Sequence, residues 1–130
     1  QDRLRSVQPD AFGVLRCDIR DQPFFLEWER RAIRPSTMAR KLAPYLRYYS
    51  SKRPLEDHGA IPLVLVAFED ELAADHFLRV AREEQERTGV TLPLRISDRA
   101  ALSRRGPLGS AWRKTDFATT GPPFGGTASR

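Results

Sequence analysis

The sequence predicts an α/β fold, a central mixed β-sheet flanked by helices, and three observations point there. Ile61 to Phe68 is apolar on both faces of an extended chain, which suits a strand in the middle of a sheet covered on both sides. Residues 61–96 read as strand, helix, strand, for which a right-handed parallel crossover is the default connection. Ahead of them, Ala11–Cys17 and Phe24–Glu29 flank a turn over 18–23, an antiparallel hairpin that makes the sheet mixed.

The elements follow in order. Residues 1–8 are polar, and Pro9-Asp10 leads into the first strand, with Phe12 and Val14 on one side and Gly13 and Leu15 on the other. Phe24, Phe25 and Trp28 are β-favouring, and a period of two sets Glu27 and Glu29 on one face and Leu26 and Trp28 on the opposite one. Ser36 or Thr37 can cap a helix running to Ser50 or Lys52, in which Met38, Leu42, Tyr45, Leu46 and Tyr49 form one apolar stripe. Lys41 borders that stripe, and Pro44 interrupts the backbone bonding within it. Residues 50–60, with Pro54 and Gly59, read as an exposed loop. A helix from Asp70-Glu71 to Thr88 carries acids at its N-terminus and Gly89 at its end, with Leu72, His76, Phe77, Val80, Ala81 and Glu84 as the inner face. Leu92–Ile96 is a further strand, 98–104 a short helix and 106–109 a turn. Beyond Lys114 the chain turns to Thr, Gly, Pro and Ser, so 115–130 is expected to be disordered.

The 130 residues suit one domain over 1–114 with a core large enough to need no staples. A single cysteine, Cys17, makes neither an internal disulfide nor a zinc site, and a reducing, cytoplasmic compartment fits it best. No apolar run approaches the roughly 20 residues of a membrane span. Gln1 in place of an initiator methionine suggests a fragment or a processed chain. The formal net charge is +5 and the pI about 10.0. The excess is concentrated, with five basic against two acidic residues over 35–58 and five against one over 104–130. A basic balance favours polyanions, nucleic acid first, and equally serves solubility.

Asp10, Glu27 and Glu29 are placed to converge on one cation, since two carboxylates side by side repel and call for solvent or a counter-ion. Magnesium takes oxygen ligands and keeps several waters, which one to three carboxylates can support. The competing interpretation makes Glu27 and Glu29 the solvated face of a hairpin. Lys41 can stabilise charge on a phosphate near such a metal, or be a solvated surface lysine. Tyr45 and Tyr49, at helical spacing, are core rather than base-stacking residues. His76 reads as a core histidine, and His58 as a loop residue without a partner.

Taken together, Pro9-Asp10, Phe24-Phe25-Leu26-Glu27-Trp28-Glu29, the helix with Lys41-Leu42 and Tyr45, the strand Ile61–Phe68 and Gly109-Ser110-Ala111-Trp112-Arg113 resemble the replication-relaxation family of plasmid and mobile-element proteins, over about residues 7–114. The resemblance implies a diverged restriction-endonuclease-like, PD-(D/E)xK core, with a winged-helix domain preceding it that is not part of this chain. It implies Asp10, Glu27 and Lys41 as catalytic residues and Asp10, Glu27 and Glu29 as ligands of Mg²⁺ or Mn²⁺. Glu29 stands where the parent motif keeps its lysine, with Lys41 on the next helix as the stand-in. DNA is the partner expected, with Arg30, Arg31, Arg34, Arg40 and Arg47 as phosphate contacts. Two functions follow: a metal-dependent DNA nuclease, or a catalytically inactive nuclease-like module that binds DNA or a protein partner. A homodimer is left open.

Overall fold

The structure, a computed structural model, describes residues 7–16, 19–30, 34–115, 120 and 121. A six-stranded mixed sheet has its strands in chain order, β1 (Ala11–Leu15), β2 (Gln22–Glu29), β3 (Leu63–Phe68), β4 (Leu94–Asp98), β5 (Trp112–Arg113) and β6 (Thr120–Gly121). β1 and β2 form the expected antiparallel hairpin, β2, β3 and β4 run parallel, and β5 and β6 return antiparallel. Helices α1 (Pro35–Tyr49) and α2 (Arg53–His58) connect β2 to β3, α3 (Glu71–Thr88) connects β3 to β4, and α4 (Arg99–Arg105) follows β4.

β3 is the central strand, and all six of its residues are buried. Val64, Val66 and Phe68 point to the face covered by α1 and α3, where they join Met38, Leu42, Leu46, Phe77 and Ile96. Leu63, Leu65 and Ala67 point to the other face and pack with Ala111 and Trp112, against which Phe24, Leu26 and Trp28 of β2 also lie. The apolar run is therefore two alternating strips, one for each layer. The Phe24 ring lies over Gly13, where a Cβ would come within 2.5 Å of the ring.

Both ends of α3 are as the sequence predicts: the Asp70 side chain accepts the Ala73 N–H at 2.7 Å, and Gly89 closes the helix at φ 74°. Its inner face is so in part, with Phe77, Val80 and Ala81 buried as expected. Ala73, Ala74, Phe77, Leu78, Val80 and Ala81 are buried, whereas Leu72 is 64 % exposed and His76 and Glu84 are only partly covered. Two alanines let the helix approach α1 and the sheet closely, which outweighs the attraction of burying Leu72 alone.

Other expectations are corrected as well. α1 begins at Pro35 without a Ser36 or Thr37 cap, because proline at the first helical position needs no donor partner. The stretch 50–60 is not a loop throughout: Pro54 starts α2, and Gly59 ends it at φ 72°. Periodicity cannot reveal a six-residue helix. The first strand stops at Leu15, and Cys17 lies outside the described residues. The sheet continues past Lys114 through β6; the rest of the expected disordered tail, 116–119 and 122–130, lies outside the described residues. Among the described residues no helix is long and apolar enough to cross a membrane.

Candidate functional site

Glu27 and Glu29 occupy the helix-covered face of the sheet. The parallel register sets Phe25 beside Val64, Glu27 beside Val66 and Glu29 beside Phe68, so the two carboxylates continue a strip whose other members are core. The solvated-face interpretation thus gives way: the Glu29 side chain is only 12 % exposed.

Helix α1 supplies a partner to each. Lys41 Nζ lies 2.5 Å from Glu29 Oε2, and Tyr45 Oη donates to Glu27 Oε2 at 2.6 Å. Elementary geometry explains the match. Four helical residues advance about 6 Å and two strand residues about 6.6 Å. Along α1 the order is Lys41 then Tyr45, while along β2 their partners come in the order Glu29 then Glu27, as a helix running back over its preceding strand requires. The third carboxylate comes from the hairpin. Continuing the β1–β2 register one step past Ala11 and Leu26 sets Asp10 opposite Glu27, and Asp10 Oδ2 accepts the Trp28 N–H at 2.8 Å.

The electrostatics follow from this crowding. Burial holds the Glu27 carboxyl above its usual range, helped by the Asp10 and Glu29 charges and opposed by the Tyr45 hydrogen bond and Lys41. Burial pulls Lys41 down, but the hydrogen bond to Glu29 and the three carboxylates outweigh it, and its pKa is raised. Burial and the Glu27 charge push Tyr45 far up, so it remains a donor.

A cleft of about 690 Å³ runs along α1, lined by Gln8, Glu27, Glu29, Lys41 and Tyr45 and continuing to Tyr48, Ser51 and Arg53. Of the arginines expected to meet phosphate, Arg47 lines this cleft, Arg30, Arg34 and Arg40 are exposed, and Arg31 lies outside the described residues. Tyr45 and Tyr48 are buried, and Tyr48 Oη donates to Asp57 at 2.8 Å, so neither ring offers a free face to a base. His58, expected to lack a partner, stacks on Phe12 at 5.1 Å and meets Phe25 edge-on.

Comparison with protein-family models, curated proteins and solved structures returns no match. The site must therefore be interpreted from its own chemistry.

Among the described residues no group of three or more His, Cys, Asp or Glu side chains is arranged to hold a metal ion. The cation standing at the carboxylates is the Lys41 ammonium. Carboxylate oxygens are hard donors of the kind Mg²⁺ or Mn²⁺ takes, and here Glu29 is held by the ammonium, Glu27 by the Tyr45 hydroxyl and Asp10 by the Trp28 N–H. Tyr45 is the member that sequence reasoning missed. Its signal was available, since it lies one helical turn beyond Lys41 and Glu27 lies one strand repeat before Glu29.

Proposed function

We propose that this chain is a nuclease-like domain acting on DNA, with a restriction-endonuclease-like core of the replication-relaxation type. The observation that carries the reading is the placement of Glu27, Glu29 and Lys41 along one cleft, with the Asp10 charge close enough to act on Glu27 and Lys41. A hairpin bearing the acids, followed by a helix bearing the lysine and a parallel strand, is in keeping with that core. The chain would then work in the cytoplasm.

In this reading Asp10 and Glu27, with Glu29, hold Mg²⁺ or Mn²⁺, which when bound supplies positive charge to a phosphodiester and a more acidic water. Tyr45 fixes the Glu27 carboxylate by occupying one of its oxygens, as outer partners commonly orient ligands. Lys41, half exposed on a flexible stem, can turn from Glu29 to a phosphate and stabilise its developing charge. Arg30, Arg34, Arg40 and Arg47 contact the DNA backbone without reading sequence, and salt weakens that binding.

One observation favours the second reading, a catalytically silent module that binds DNA or a protein. Glu29 takes the place of the motif lysine, and Lys41 is committed to neutralising it. A plasmid-cleavage assay with Mg²⁺ or Mn²⁺ separates the two. Nicking by wild type that disappears in both Asp10→Ala and Glu27→Ala supports the nuclease. Undiminished cleavage in both variants would remove the site assignment, and salt-sensitive DNA binding without cleavage would select the silent module.

A further inference from the structure

β1 is an edge of the sheet, paired with β2 on one side and with no other described strand on the other. Natural edge strands are usually kept from pairing further by a charge, a proline or extreme shortness. The opposite edge, β6, follows that rule with two residues. β1 does not: Ala11-Phe12-Gly13-Val14-Leu15 is five residues long and holds neither a charge nor a proline. The register with β2 sets Phe12 and Val14 on the helix-covered face, where each is 48 % exposed although the Phe12 ring already packs on Phe25 and His58. A charged residue closes the strand at each end, Asp10 before it and Arg16 after it. Asp10 is fixed by the Trp28 N–H, and the Arg16 side chain is 88 % exposed with Nε 3.8 Å from Asp21, a surface pair of the kind that holds little.

This edge is its own complement. Antiparallel pairing of two copies about Gly13 sets Phe12 opposite Val14, Ala11 opposite Leu15 and Asp10 opposite Arg16, and symmetry makes each contact twice. Residues directly opposite share a face, so two aromatic–aliphatic pairs close over the exposed strip and opposite charges meet at both of its ends. Centring the pair on Phe12 or on Val14 instead sets Asp10 against Val14 or Arg16 against Phe12, so the charges select one register. We propose that β1 is a dimerisation edge, pairing antiparallel with β1 of a second copy about Gly13 so that the two sheets run on as one. The pairing needs neither cation nor DNA and stands apart from the function proposed above. One short strand from each copy makes a small interface, so dilution dissociates the dimer.

The test is sedimentation velocity of the full chain from micromolar to millimolar concentration, comparing wild type with Val14→Lys, Arg16→Glu, Arg16→Lys and Leu72→Lys, each checked for folding by circular dichroism. Wild type should pass from monomer to dimer as concentration rises. Val14→Lys, which sets a charge opposite Phe12, should abolish the dimer over this range. Arg16→Glu, which turns two attractions into two repulsions, should raise the dissociation constant about tenfold. Arg16→Lys, which keeps the charge, and Leu72→Lys, at an exposed apolar residue of α3, should match wild type. A wild type that stays monomeric throughout would overturn the inference, whether the edge is idle or takes another protein's strand. A dimer undiminished by Val14→Lys or by Arg16→Glu would overturn it by moving the contact elsewhere. An equal loss in Leu72→Lys would overturn it too, reducing the effect to general charge.

Discussion

Two strand–helix–strand units share β3, and they are built differently. In the second, β3–α3–β4, the helix has a side-chain cap at Asp70, a glycine at its end and a face of alanine, leucine, valine and phenylalanine laid on the sheet. In the first, β2–α1–α2–β3, the helix has no side-chain cap, carries Pro44 in its interior and meets its strand partly through Lys41–Glu29 and Tyr45–Glu27. Local rules and packing agree in the second unit. In the first they are set aside at the place where three carboxylates gather. Departures of this kind concentrate at functional sites, where stability is given up for chemistry.

If the second unit is the scaffold, breaking its core should have the largest effect. Ile96→Ala, at a fully buried position facing α1 and α3, should lower the unfolding free energy by about 2–5 kcal/mol in urea denaturation. Tyr45→Phe in the first unit should cost about 1–2 kcal/mol, because Glu27 loses its donor in a partly buried setting. The capping contrast is smaller: Asp70→Ala should cost about 1 kcal/mol, whereas Arg34→Ala at the corresponding position of α1 should leave the thermal midpoint nearly unchanged.

The smallest effect has the opposite sign. Because the folded state raises the Glu27 pKa above its ordinary 4.5, the native chain binds more protons there than the unfolded chain. This residue therefore lowers stability as pH rises from about 4.5 through its folded value, and the loss is complete above that value. Glu27→Gln, which keeps an acceptor for Tyr45, should melt slightly higher than wild type at pH 7 and lose that advantage as pH falls below 4.5. A lower melting point at pH 7 would mean that the carboxylate is stabilising and that the first unit has given up nothing.

Local chemistry was legible in the sequence, and pairings between distant residues were not. The alternation through Phe24–Glu29 separates the acids from Leu26 and Trp28, and the run to Phe68 marks the centre of the sheet, because each depends only on a period of two. Asp70 and Gly89 mark their helix ends because caps act within one turn. Which face of β2 α1 would cover depends on the crossover, so Glu27 and Glu29 could equally have faced water. The inner face of α3 was read correctly at Phe77, Val80 and Ala81 and missed at its N-terminal end for a similar reason: Ala73 and Ala74 carry little hydrophobic signal of their own, yet they and not Leu72 are buried. Tyr45 passed as a core residue, and its hydroxyl found Glu27 only once strand and helix were aligned antiparallel.

The proposed function turns on whether the carboxylates of the first unit bind a divalent cation. Anomalous scattering from a crystal of the chain grown with Mn²⁺ tests it most directly. The expected result is one strong peak contacted by Asp10 and Glu27. A map with no peak at these residues at saturating Mn²⁺ would contradict it.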